Sequence, residues 1–161
     1  MNKILTLVAG LAAFAASSLT TQAGELENML YLELKDGRVV IELLPDVAPN
    51  HVARIKELTR EGFYDGLKFH RVIDGFMAQT GDPKGNGTGG SGQNINAEFS
   101  TEKHVRGVVS MARAQSPNSA DSQFFIVLKD SFFLDGQYTV WGRVTEDRKS
   151  TRLNSSHTSI S

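Results

Sequence analysis

From Met29 to Leu34 apolar and polar positions alternate, the alternation halts at Lys35-Asp36-Gly37-Arg38, and it resumes from Val39 to Leu43. A period of two marks a strand with one buried face, and Asp-Gly between two such runs marks a tight hairpin turn. After Pro49 the period lengthens. Val52, Ile55 and Leu58 fall on one side at helical spacing, with Arg54, Lys56, Glu57 and Arg60 elsewhere. Proline suits a first helical turn, where its missing N–H would have no partner, and Gly62 suits the stop. This predicts one amphipathic helix over about Pro49 to Glu61. From Leu67 onward short apolar runs return between glycine-rich turns. Phe69–Ile73, Phe76–Thr80, Val105–Ala112, Phe124–Leu128 and Tyr138–Val144 are the further candidate strands, and Asp82 to Gln93 is a long glycine-rich loop. Many short strands and few helices predict a mainly β domain, a closed or partly closed barrel.

The chain has 161 residues, 40% hydrophobic and 22% charged, ordinary for one globular domain. The net charge of -1 hides an asymmetry. Residues 24–147 hold 13 of the Lys and Arg and all 18 of the Asp and Glu, a net -5. That body offers no electrostatic footprint for nucleic acid. There is no cysteine, which excludes disulfides, thiolate catalysis and Cys-based zinc sites. Lys3, an apolar run from Ile4 to Ala16 and a small, polar Ser17 to Ala23 have the form of a secretory leader cleaved after Ala23. The run is short for a membrane span of ~20 residues, so a soluble body exported to the periplasm is expected; secretion is the alternative. Residues 148–161 are rich in Ser, Thr and Asn and cannot bury enough apolar surface to order themselves; they read as a disordered or foreign tail. The expected domains are therefore 1–23, 24–147 and 148–161.

Candidate chemistry concentrates in three stretches. Phe69 to Pro83 reads FHRVIDGFMAQTGDP, Asn86 to Gly90 reads NGTGG, and Ser110 to Val127 reads SMARAQSPNSADSQFFIV. On strands, residues two apart share a face. Met77 and Gln79 therefore point together, as do Gln123 and Phe125, while Phe124 and Ile126 point to the other side. The first set can face a groove and the second a core, with Arg71 on a neighbouring strand.

These stretches, with FLDGQYTVWG after them, closely resemble the cyclophilin family, in the family's order and approximate spacing from about Met29 to Val144. The resemblance implies a barrel of eight antiparallel strands capped by two helices, with a proline-binding groove on one outer face. It implies peptidyl-prolyl cis/trans isomerase activity without metal or other cofactor. Arg71 and Gln79 would carry the catalytic roles. Phe76, Met77, Gln123, Phe125, Phe133, Leu134 and Tyr138 would form the pocket, and Gly87, Ala112, Arg113 and Ala114 the adjoining peptide groove. Arg113 stands where a smaller amide is frequent, Phe133 where many relatives have tryptophan and Tyr138 where they have histidine. The last two departures count against cyclosporin binding more than against catalysis. The partners implied are proline-containing unfolded or flexible polypeptides, met by a monomer. In the family a second helix and a last strand follow Val144; residues 145–161 lack that pattern, so both are expected to be missing here.

Other readings of the same residues are weaker. The glycine loop lacks the Gly-Lys-Ser/Thr ending of a P-loop. Ser110, His104 and Asp121 can be assembled into a hydrolase triad, but no nucleophile-elbow motif accompanies them. His70 reads as a structural or groove-side histidine, with no second ligand at metal spacing. Asn86-Gly87-Thr88 matches a glycosylation sequon, without consequence in a bacterial protein. A proline-peptide binding module or holdase chaperone without turnover is the main alternative. A lipocalin-type ligand barrel fits poorly with the early helix and an outward Arg71.

Overall fold

The computed structural model describes residues 23–24 and 26–145. The expected leader up to Gln22 and tail from residue 148 lie outside them, as does nearly all the chain after Val144 where a second helix and last strand would stand. Among the described residues there are seven strands and one long helix. The strands are β1 Met29–Leu34, β2 Gly37–Leu43, β3 Arg71–Ile73, β4 Met77–Thr80, β5 Val108–Met111, β6 Phe124–Val127 and β7 Val140–Val144. The helix α1 spans Pro49–Arg60, and a 3-10 turn spans Phe132–Leu134. All pairings are antiparallel, in the order β1-β2-β7-β5-β6-β4-β3. The sheet curls into a half-barrel with β1 and β3 at its edges.

The expected hairpin forms at Asp36-Gly37, where Leu34 pairs with Gly37. Several strands are shorter than the apolar runs suggested. Phe69 precedes β3 yet is 3% exposed, because it packs into the core as a loop residue. Pairing of β3 begins only at Arg71, opposite Gln79. The helix start has no side-chain cap from Ala48. Instead Glu98, distant in sequence, accepts from the N–H groups of Asn50 (3.1 Å) and His51 (2.9 Å) and bonds the His51 ring at 2.6 Å. Burial would raise the Glu98 carboxyl, but the His51 ring and these N–H groups outweigh it and hold it below the usual carboxylate range.

The main core lies in the concavity beneath α1. Ile41, Ile55, Phe124, Ile126 and Trp141 are almost fully buried there. Trp141 is an extra residue in β7, since Ser110 pairs with Val140 and Val109 with Gly142. Such a bulge bends the strand. Gly142 follows it in tight quarters: a Cβ there would lie 2.8 Å from Ile41 Cγ2.

Candidate active site

Pairing register places the outer face of the sheet. Arg71 opposes Gln79, Gln79 opposes Phe125, and Phe125 opposes Ser110, so the four form one row across β3, β4, β6 and β5. The alternate row, Val72, Ala78, Ile126 and Val109, faces the core. The expected division of β4 and β6 into a groove face and a core face is therefore present. Met77, Phe125 and Leu134 form a second apolar cluster separate from the main core, with Phe76, Ala112 and Tyr138 packed against it. The Phe76 and Phe133 rings meet at 5.5 Å, and Phe125 meets Tyr138 edge-on at 5.7 Å. Phe133 is 67% exposed, so it forms a rim rather than a floor.

The polar border is a relay. Arg71 Nη1 donates to Gln79 Oε1 at a long 3.4 Å, and Gln79 Nε2 donates to Gln123 Oε1 at 2.9 Å. Gln123 Nε2 in turn donates to the carbonyls of Gly87 (3.1 Å) and Gly89 (2.7 Å). The glycine loop is thus tied to the strand face. Two carboxylates shape it. Asp82, 1% exposed, accepts from the N–H groups of Lys84, Asn86 and Gly87. Burial would raise its carboxyl, but those N–H groups and that of Gly89 prevail and hold it below the ordinary range. Gly89 approaches so closely that any Cβ would run into Asp82 Oδ1. Asp121 accepts from Ser91 N and Oγ and from Gly92 N. His70 lies beside Gly87, and neither ring nitrogen has a hydrogen-bond partner among the described residues.

On the opposite border, Ala112 N–H donates to Gln123 O and Ala114 N–H to Ser119 Oγ. Between them, no hydrogen bond engages the N–H or C=O of Arg113 among the described residues. Its side chain donates from Nε to Gln137 O and from Nη1 to the carbonyls of Ala114 and Gln115, each at 3.0 Å. Its guanidinium sits 4.7 Å from the Tyr138 ring centre.

One arrangement was not legible in the sequence. His104, fully buried, stacks under Phe125 and bonds Asp135 Oδ1 at 3.0 Å and Ser110 Oγ at 3.1 Å. The Asp135 carboxylate also accepts from His104 N–H, and mainly for that reason its carboxyl lies below the usual range. The acid facing His104 is thus Asp135, not Asp121, which serves the glycine loop. Ser110 is itself fully buried, and its Oγ also lies 2.9 Å from Thr139 O. No substrate can reach it, so the trio braces the seat and attacks nothing. Nothing local in the sequence linked His104 to Asp135; only the return of the chain to β7 brings them together.

A relay from an arginine to a glycine loop, beside an apolar seat with a free backbone N–H and C=O on its far side, has known counterparts. The family model for cyclophilin-type peptidyl-prolyl cis-trans isomerases matches residues 29–155. This chain belongs to that family. It is 57% identical over 149 residues to a probable peptidyl-prolyl cis-trans isomerase of Brucella suis, covering 83% of this chain and 76% of the relative. It is 48% identical over 118 residues to peptidyl-prolyl cis-trans isomerase B of Bacillus subtilis, covering 71% and 82%. Among solved structures it resembles cyclophilin AquaCyp293 of Hirschia baltica, with a TM-score of 0.67 and 34% identity, spanning 73% of this chain and 64% of that one. A Cryptosporidium parvum cyclophilin crystallised in the presence of the dipeptide Ala-Pro gives a TM-score of 0.74 at 28% identity, covering 82% and 94%. The cyclophilin assignment carries with it peptidyl-prolyl cis/trans isomerase activity.

Proposed function

We propose that this cyclophilin turns X–Pro bonds in exported polypeptides and so assists their folding in the periplasm, acting as a monomer. The observation that carries the reading is the row Arg71–Gln79–Phe125, a fixed charge beside an apolar seat. The leader-like first 23 residues support export.

The imide resists rotation because the nitrogen lone pair is delocalised into the carbonyl, with a barrier of ~18–20 kcal/mol. No bond breaks, so catalysis is a matter of binding the twisted amide better than either planar form. The proline ring rests on Phe125, Met77 and Leu134, walled by Phe76 and rimmed by Phe133. The unengaged N–H and C=O of Arg113 hold the backbone before the proline. One N–H of Arg71 approaches the proline nitrogen as its lone pair localises, while Gln79 steadies the guanidinium and Gln123 steadies Gln79. The seat excludes water, which strengthens the Arg71 contact in the transition state. The Ala-Pro dipeptide used with the Cryptosporidium cyclophilin is a minimal ligand of the kind this seat suits. Phe133 and Tyr138, in place of tryptophan and histidine, make this a weak cyclosporin binder.

The test is refolding of a protein whose slow phase is limited by a trans-to-cis prolyl bond, with the 161-residue chain in catalytic amounts. Acceleration of that phase is expected. Suppressed aggregation with an unchanged slow phase would instead make the protein a holdase.

A further inference from the structure

We infer that Arg113 makes this cyclophilin selective for prolyl peptides carrying an acidic side chain two or three residues from the proline. The inference rests on the isomerase reading of the groove and adds to it the chemistry of the preferred substrate.

Three observations lead there. First, the Arg113 guanidinium is fixed. Three bonds to backbone carbonyls and the face of Tyr138 hold it in place. A pre-ordered side chain loses little rotamer freedom when it meets a ligand.

Second, its charge is uncompensated. Carbonyls occupy Nε and Nη1, Nη2 has no partner, and no carboxylate forms an ion pair with Arg113 among the described residues. The carboxylates of the surrounding loops are engaged elsewhere. Asp82 and Asp121 serve the glycine loop, and Asp135 serves His104 and Lys103. Arg71, across the seat, has no ion pair either, so a body of net charge -5 presents a cationic groove.

Third, the placement suits selection rather than catalysis. The guanidinium is 4.7 Å from the Tyr138 ring centre, and that ring is 5.7 Å from Phe125. These two spans bound its distance from the proline seat at about 10 Å. An extended peptide advances ~3.3–3.6 Å per residue, so a side chain two or three residues away reaches it. The N–H groups on Nη2 then meet a carboxylate.

The experiment compares kcat/KM of the full chain, by NMR exchange, for paired peptides that differ only in Glu or Gln. The pairs place that residue two or three positions from proline on either side. At one position at least, Glu is expected to be favoured about two- to fivefold at low salt, the range for a partly exposed ion pair. The ratio should shrink with added salt, vanish in Arg113→Gln and invert in Arg113→Glu. Equal rates for every Glu and Gln pair, or a preference that survives in Arg113→Gln, would overturn the inference. NMR titration gives the same ratio as a ratio of Kd values and needs no turnover. A protein that binds Glu peptides preferentially yet turns none over would defeat the isomerase reading and leave this one standing.

Discussion

Replacing Arg71 by alanine separates a catalytic arginine from a structural one, because the two roles differ in which measurement they move. Arg71 is exposed on edge strand β3, and its one intramolecular hydrogen bond is 3.4 Å long. A bond of that length contributes little, and surface changes away from special features usually stay within ~0.5 kcal/mol. The unfolding midpoint of Arg71→Ala should therefore match the parent within a degree or two. Catalysis is another matter. If the guanidinium meets the proline nitrogen only in the twisted state, its loss lowers kcat/KM by about two to three powers of ten, ~3–4 kcal/mol. Arg71→Lys should fall between, since a point charge cannot reach nitrogen and carbonyl together as the planar fork does. The assay is NMR exchange on a short X–Pro peptide, with urea unfolding followed by circular dichroism on the same samples. Near-parental turnover of a folded Arg71→Ala protein would refute the mechanism; a large fall in its midpoint would show that Arg71 supports the sheet instead.

Gln123→Ala removes both bonds to the glycine loop and the one to Gln79, so it should raise KM and lower kcat, with an activity loss of about tenfold or more; unchanged kinetics would show that the relay orders nothing. Gly142→Ala places a methyl against Ile41 Cγ2 and the Glu42 carbonyl, and should cost ~1–3 kcal/mol in urea unfolding, a test of how rigidly β7 packs on β2. Asp82 holds its carboxyl below the ordinary value of ~4, so its stabilisation is present above about pH 4 and is lost as pH falls through the lower folded value. Urea midpoints of the parent should drop on acidification in that range, and Asp82→Asn should show a shallower drop, with Glu98 and Asp135 supplying the rest in the same direction. Ser110, buried beneath Phe125, should resist fluorophosphonate labelling in the native state, and labelling detected by mass spectrometry would reopen a hydrolytic reading.

Local pattern determined much of this protein. The period-two runs of β1 and β2, the Asp36-Gly37 turn and the 3.6-residue spacing of Val52, Ile55 and Leu58 follow from short-range geometry, so their elements form where the pattern predicts. The division of Met77 and Gln79 from Ala78, and of Phe125 from Phe124 and Ile126, follows from alternation alone. Which strands lie side by side does not. Register is chosen by pairing between distant segments, so only the folded sheet aligns Arg71, Gln79 and Phe125 in one row. Tertiary structure likewise chose Asp135 over Asp121 for His104, sent Glu98 to the start of α1, and set the Arg113 guanidinium on Tyr138. A carboxylate or guanidinium takes whichever buried partner the chain path delivers within ~3 Å, and that path is a property of the whole core.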